Sequence, residues 1–252
     1  MATLVVTSAR GGSGASLLAT NLGVALAGGG TCLLLDLHGP EAIDDLLLDL
    51  EPTHSWTDLL PIAETLDETH LARATSRHAS GLRLLAGGVA MKELLVEPEA
   101  LLRSLTFHAA WLVVDSPGGL STDGLLGFAD LVLLVTLPDP PSLRATRRWL
   151  HHLPTATRRK VGLVVNQAAA GQPLLAQGAA HALDLPLSAW LPADSAAIGR
   201  QVHFGEAAVL GAGSCYGRAV RQLAGRLLSS RALLLRKGEA DRSKVKAVER
   251  PA

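Results

Sequence analysis

The sequence predicts an α/β domain built on a mostly parallel sheet of seven to eight strands flanked by helices. Three observations predict it. Short, continuous apolar runs rich in Val and Leu recur along the chain, as strands do when both faces of their sheet are covered. Longer segments with apolar residues at helical spacing lie between most of them, giving the alternation of a parallel sheet. Polar residues gather just after the apolar runs, at the carboxyl ends of strands where open α/β sheets bind ligands.

Taken in order, Thr3–Thr7 is a β-branched apolar run and reads as the first strand. A glycine-rich turn and a helix over 19–28 follow. Thr31–Leu35 is the second strand, ending at Asp36. After a helical or irregular stretch, Gly81–Leu85 reads as the third. A helix near 92–105 leads to the fourth, Ala110–Val114, which ends at Asp115. Leu131–Val135 is the fifth, and a helix near 141–153 connects it to the sixth, Val161–Val165, ending at Asn166. A helix near 173–182 precedes a seventh strand, Leu185–Trp190. Helices near 195–203 and 216–235 close the domain. No internal repeat is visible. Residues 1–237 are expected to form one domain. Residues 238–252 are charged and lack apolar periodicity, so a disordered tail is expected there.

Bulk properties narrow the function. A chain of 252 residues buries an ample core. Its 23 basic and 23 acidic residues balance, which argues against a nucleic-acid binder. Cys32 and Cys215 are the only cysteines and have no pairing or ligand spacing, so neither disulfides nor zinc are expected, and the chain reads as cytoplasmic. Nothing in it suggests haem or flavin. Met1 leads directly into a strand, without a leader-type segment. No apolar run reaches the ~18 residues needed to span a bilayer.

Charge is unevenly spread. No Lys or Arg lies between Arg10 and Arg73, while Asp36, Glu41, Asp44, Asp45 and Asp49 begin a run of acids. That run reads as a solvated acidic face. Arg144, Arg147, Arg148, His151, His152, Arg158, Arg159 and Lys160 read as a solvated basic helix face. The last helix carries Val220, Leu223, Leu227 and Leu228 beside Arg218, Arg221 and Arg226. It is expected to pack on the sheet, with only 229–237 as a candidate for peripheral membrane contact.

The chemistry concentrates in Arg10-Gly11-Gly12-Ser13-Gly14-Ala15-Ser16-Leu17. Strand, glycine-rich turn and helix are the context of a phosphate-binding loop. Glycines let backbone N–H groups turn inward around a phosphate, and the helix N-terminus adds partial positive charge. Such loops end Gly-Lys-Ser or Gly-Lys-Thr. Here Gly14 and Ser16 are in place, but Ala15 stands where the lysine would grip the phosphates. Ser16 takes the hydroxyl position that holds Mg²⁺, and Asp115 takes that of the carboxylate behind it.

These residues and the blocks around them resemble the MinD/ParA group of deviant Walker ATPases over residues 3–228. The group's loop reads Lys-Gly-Gly-x-Gly-Lys followed by two Ser or Thr residues. The resemblance continues through Leu33-Leu-Leu-Asp36-Leu-His38, Val113-Val-Asp115-Ser-Pro-Gly118, Val164-Val-Asn166-Gln167 and Leu191-Pro192-Ala193-Asp194. The middle blocks, near Leu50–Leu60 and Arg77–Ala86, are most similar to the CpaE/TadZ-like proteins of Tad (Flp) pilus systems, including actinobacterial septum-site-type members.

The resemblance implies a P-loop NTPase fold and ATP or ADP with Mg²⁺ as the ligand. It implies nucleotide contacts from Arg10 to Leu17, Asn166 at the adenine, and Pro192 and Ala193 beside it. Arg10 matches the lysine that reaches across a dimer, so a homodimer is implied. His38 matches a carboxylate that helps Asp36's region position water. With Ala15 and His38 at those positions, nucleotide binding is expected to be weakened and hydrolysis slight. The implied role is a localisation or assembly factor for a pilus or secretion machine, polar or peripheral at the inner membrane. An active ATPase placing septa or DNA, and a nucleotide-free scaffold, are the alternatives.

Overall fold

The computed structural model describes residues 2–39, 41–88, 99–118, 123–168 and 173–230. Its strands are β1 (Ala2–Ser8), β2 (Cys32–Asp36), β3 (Ser76–Arg77), β4 (Arg83–Leu85), β5 (Trp111–Asp115), β6 (Leu131–Thr136), β7 (Val161–Ala168) and β8 (Leu187–Pro192). They form one eight-stranded sheet in the order β3-β4-β2-β5-β1-β6-β7-β8. Every pairing is parallel except that of β3 with β4. The strands expected from apolar runs are all present. The third is shorter than expected, because Gly81 sits in a turn with φ 89° and only Arg83–Leu85 pairs. The two-residue edge strand β3 has no apolar run to announce it.

Helices cover both faces. They are α1 (Ala15–Ala27), α2 (Asp44–Leu47), α3 (Glu68–Ala74), α4 (Glu99–Leu105), α5 (Asp123–Phe128), α6 (Pro140–His152), α7 (Thr155–Arg158), α8 (Pro173–Leu183) and α9 (Ser195–Phe204). A further helix, α10, runs over 215–230. Of the helix expected near 92–105, residues 92–98 lie outside the described residues, as do 231–237 and the tail 238–252. The short α2 and a 3-10 helix at Trp56–Thr65 occupy the stretch that the sequence left irregular.

Alternation along the strands divides the core. Leu4, Val6, Leu34, Val113 and Leu133 face α1 and α10, meeting Leu18, Leu22, Leu26, Tyr216 and Val220. Val5, Leu35, Val114 and Val132 point the other way, toward Leu71, Leu101, Leu105 and Ala176. Each such side chain taken fully from water contributes about 1.5–3 kcal/mol. The expected packing of the last helix is borne out by the buried Tyr216, Val220 and Leu223. No helix among the described residues is long and apolar enough to cross a membrane.

Strand order places the site. From β1 the chain passes over β5 to β2, and from β5 it crosses β1 to β6. Winding therefore reverses around β1. The carboxyl ends of β1, β2 and β5 open onto one crevice, the position where doubly wound sheets bind ligands.

Candidate functional site

The loop after β1 is shaped by its glycines. Gly12 and Gly14 hold φ of 77° and 88°, left-handed values that a side chain resists. Gly14 is also pressed against Asn166, where a Cβ would fall 2.3 Å from Nδ2. The loop is tied from inside. The Ser8 and Ser13 hydroxyls both donate to the Arg10 carbonyl, at 3.0 and 2.7 Å. Asn166 Nδ2 donates to the Ser13 carbonyl at 2.8 Å, and Asn166 Oδ1 accepts from Gln167 N at 2.9 Å. Asn166 is held there by an irregular β7, whose register on β8 shifts after Val165 and whose Gln167 has φ 53°.

Gly14 caps α1 without a side-chain hydrogen bond. The first N–H groups of α1 are therefore free of a capping side chain, which suits an anion. Arg10, Gly11 and Gly12 are exposed at the crevice rim, while Ser13 is buried and Gly14, Ala15, Ser16 and Leu17 are half-buried. The charge of Arg10 reaches Asp139, the cap of α6. That carboxyl is held below its usual range first by the Ser142 N–H and also by the Ser142 hydroxyl and Arg10. Pro192 is buried and Ala193 exposed. Ala193 N donates to the Ala168 carbonyl at 3.2 Å, which places both beside the end of β7.

Three carboxylates meet below the loop. Asp36 and Asp115 end neighbouring strands and are register partners. Asp36 is 1% exposed, and Asp44 and Asp115 are 0% exposed. Asp36 Oδ1 accepts from His38 N at 2.8 Å and lies 3.0 Å from His38 Nδ1. Asp44 N points to Asp36 Oδ2 at 3.4 Å. The same His38 Nδ1 stands 3.3 Å from Asp115 Oδ2. Even so, no oxygen of Asp44 or Asp115 receives a well-formed hydrogen bond.

The electrostatics follow from that burial. Burial pushes the Asp115 carboxyl up to about 7, with Asp36 adding to the rise and His38 and the Ser16 hydroxyl opposing it. Asp44 is raised well above the usual range by burial, then by the charges of Asp115, Asp36 and Asp45. Burial alone would lower His38, but its bond to Asp36 and the charges of Asp115, Asp36 and Glu41 outweigh that and raise it.

The fold thus brings together the loop Arg10–Leu17, Asp36, His38, Asp115 and Asn166, with Pro192 and Ala193 at the side. The acidic run between Asp36 and Asp49 is not wholly a solvated face, since Asp36 and Asp44 are buried here. Burial of the strand end accounts for the first and the tight α2 turn for the second. Sequence reading missed Asp44 as part of the site. The available signal was an acid inside an apolar run, Ile43-Asp44-Asp45-Leu46-Leu47. Of the expected basic face, Arg144, Arg147, Arg148, His151, His152 and Arg159 are exposed, while Arg158 and Lys160 are half-buried. Ser16 beside Asp115 offers the oxygen donors that Mg²⁺ prefers, so the residues present fit a magnesium nucleotide except at Ala15, which supplies no cation.

No protein-family model matches the chain. It is 27% identical over 203 residues to the septum site-determining protein MinD of Thermotoga maritima, covering 75% of this chain and 74% of that protein. Among solved structures it resembles a ParA family ATPase from Chlorobium tepidum, with TM-score 0.78 and 20% identity over 88% of this chain and 98% of that one. MinD from Pyrococcus horikoshii, complexed with Mg-ADP, gives TM-score 0.73 and 22% identity over 90% and 95%. A MinC:MinD cell division complex from Aquifex aeolicus gives 0.76 and 22% over 91% and 96%. The chain therefore has the fold of the MinD/ParA P-loop ATPases.

Proposed function

We propose that the protein is a localisation and assembly factor of a Tad (Flp)-type pilus or secretion machine. It dimerises across the loop face and recruits machine components, binding ATP or ADP with Mg²⁺ weakly and hydrolysing ATP little or not at all. The observation that carries this reading is a site with its phosphate cradle kept and its catalytic charges changed. Ala15 brings no ammonium to the loop, and the His38 ring lies against both Asp36 and Asp115.

Phosphoryl transfer depends almost wholly on positioning and on charge stabilisation. Loss of one charge-assisted contact of roughly 1.5–3 kcal/mol weakens binding about 10- to 100-fold. A bound Mg²⁺ would supply charge neutralisation between phosphates. Ser16 would hold it, with Asp115 behind, while Asn166 and the residues Pro192 and Ala193 would flank the base. Arg10, exposed at the rim, retains a positive charge for a partner copy's phosphates. It does so without the compact ammonium of a lysine. A cytoplasmic protein acting at a pole or on the inner face of the membrane fits this role.

The test is ATP and ADP titration with and without Mg²⁺, followed by a turnover assay and light scattering. The expected result is Mg²⁺-assisted binding lost in Ser16→Ala, negligible turnover, and a nucleotide-bound dimer weakened by Arg10→Ala. Sustained turnover abolished by Asp115→Ala would establish instead an active septum- or DNA-positioning ATPase, the reading favoured by the MinD relative. Absence of binding would establish a nucleotide-free scaffold.

A further inference from the structure

We propose that Asp36, His38 and Asp115 form an inner-sphere site for a first-row transition-metal ion, filled without nucleotide and selective against Mg²⁺. The inference goes beyond the pilus reading and stands or falls separately from it.

The geometry comes first. His38 Nδ1 lies 3.0 Å from Asp36 Oδ1 and 3.3 Å from Asp115 Oδ2. One ligand atom from each of the three residues falls within 4.8 Å of the others. Two ligand atoms each about 2.1 Å from an ion stand ~3.0 Å apart at a right angle and ~3.4 Å apart at a tetrahedral angle. The two separations from Nδ1 fit ligands that share one centre, although the shorter one also fits a hydrogen bond.

A hydrogen bond inside the protein accounts for only one of the two approaches to Nδ1, the 3.0 Å contact with Asp36 Oδ1. An imidazole nitrogen carries at most one N–H, yet Nδ1 faces an oxygen of each carboxylate. Asp115 is 0% exposed, and both its oxygens lack a well-formed hydrogen bond. His38 at 3.3 Å and the Ser16 hydroxyl offset the charge of Asp115 only in part; a buried carboxylate so weakly partnered is costly, and metal coordination is one of the few ways to satisfy it. The strand ends fix two ligands rigidly through the Asp36–Asp115 register. The third provides access, because the His38 side chain is 20% exposed while those of Asp36 and Asp115 are 2% and 0%.

Ligand chemistry sets the selectivity. Imidazole favours Zn²⁺, Co²⁺ and Ni²⁺, whereas Mg²⁺ prefers oxygen donors and retains its waters. A carboxylate at position 38 would make an all-oxygen site; the histidine makes a mixed one. Ser16 and the loop backbone are not needed, so the site can fill in the absence of a phosphate.

The experiment uses the full chain, freed of metal by a chelator and kept without nucleotide. Zn²⁺, Co²⁺ and Mg²⁺ are titrated separately by calorimetry, and the His38 ring nitrogens are followed by NMR. The expected result is one Zn²⁺ or Co²⁺ bound at least ~10-fold more tightly than Mg²⁺, with the His38 Nδ1 resonance shifting on Zn²⁺ addition. His38→Ala should lose that tight event, and His38→Asp should reverse the preference toward Mg²⁺. The chain has nine histidines, so an affinity and stoichiometry unchanged in His38→Ala would assign the binding elsewhere and overturn the proposal. Mg²⁺ bound as tightly as Zn²⁺ by the wild type, or no tight metal binding at all, would overturn it equally. Because nucleotide is absent throughout, none of these outcomes depends on how ATP binds or turns over.

Discussion

Two of the buried polar clusters among the described residues are built on opposite principles. The first joins Thr20 and Asn21 of α1 to Gln201 of α9, all 0% exposed. Asn21 Nδ2 donates to the Leu17 carbonyl and to Gln201 Oε1, both at 2.7 Å. Asn21 Oδ1 accepts from Val209 N at 2.7 Å. Gln201 Nε2 donates to Thr20 Oγ1 at 3.2 Å and to the Leu47 carbonyl at 3.3 Å, and its Oε1 also accepts from Ala208 N at 3.2 Å. The amide groups of both side chains are satisfied, and none is charged. The second cluster is Asp36, Asp44 and Asp115, equally buried, where Asp44's carboxylate has no partner and Asp115 has only the weak contacts of His38 and the Ser16 hydroxyl. A satisfied neutral network fixes packing and returns some stability. Unsatisfied carboxylates reduce stability, and such groups concentrate where a protein binds or reacts. The contrast separates scaffold from site without appeal to any relative.

The largest expected effect comes from breaking the neutral network. Gln201→Leu removes the partners of Asn21 Nδ2, Ala208 N and the Leu47 carbonyl together. The cost should be about 2–4 kcal/mol of unfolding free energy. Because no titratable group is involved, denaturant melts at pH 5 and pH 8 should show the same loss. A loss below ~1 kcal/mol, or one that changes with pH, would break the contrast.

The carboxylate cluster should behave in the opposite way. A carboxyl whose folded pKa is raised holds its proton longer in the folded chain than in the unfolded one, so stability falls as pH rises between the two values. For Asp115 that window runs from its ordinary 3.8 to about 7, and Asp44 is shifted in the same direction. His38 is raised too; its stabilising charge is present below its ordinary value and lost as pH rises through the folded one. All three act together, with Asp36, Asp45 and Glu41 as the surrounding charges. With chelator present, the wild type should therefore lose stability from about pH 4 to above pH 7. Asp44→Asn, which removes a charge and keeps the shape, should gain about 1–2 kcal/mol at pH 8 and nothing near pH 4. Thermal melts across that range provide the check, and a destabilised Asp44→Asn at pH 8 would mean that Asp44 has a partner in solution.

The two clusters were unequally legible in the sequence. The sheet was readable because strands buried on both faces leave continuous apolar runs such as Trp111–Val114. Asp36 and Asp115 were readable because each follows such a run. Asp44 was not, since its burial depends on a four-residue helix packing against α1 and α9, which local pattern does not encode. Gln201 and Asn21 were invisible for the same reason: they lie 180 positions apart and read as ordinary polar residues within helices. His38 was placed correctly beside Asp36, but that its ring also reaches Asp115 depends on β2 and β5 being neighbours, which only topology supplies.

Asn166 lies between the two classes and gives the smallest but most discriminating effect. Like Gln201 it is neutral and buried, with Nδ2 donating to the Ser13 carbonyl and Oδ1 accepting from Gln167 N. Like the carboxylates it sits at the carboxyl end of the sheet, packed against Gly14 of the loop. If satisfied groups are only scaffold, Asn166→Ala should cost about 1 kcal/mol of stability and leave ligand binding untouched. We expect more than that. The Ser13 carbonyl anchors the glycine turn before α1, and a released turn must be reordered before a phosphate can bind. That ordering costs roughly 1–2 kcal/mol per residue. ATP affinity should then fall about 10-fold or more while the unfolding free energy drops only ~1 kcal/mol, equally at pH 5 and pH 8. Calorimetric titration of ATP into wild type and Asn166→Ala, paired with denaturant melts, compares the two losses directly. An affinity unchanged within error would place Asn166 with Gln201 as scaffold and confine the site to the loop and its carboxylates.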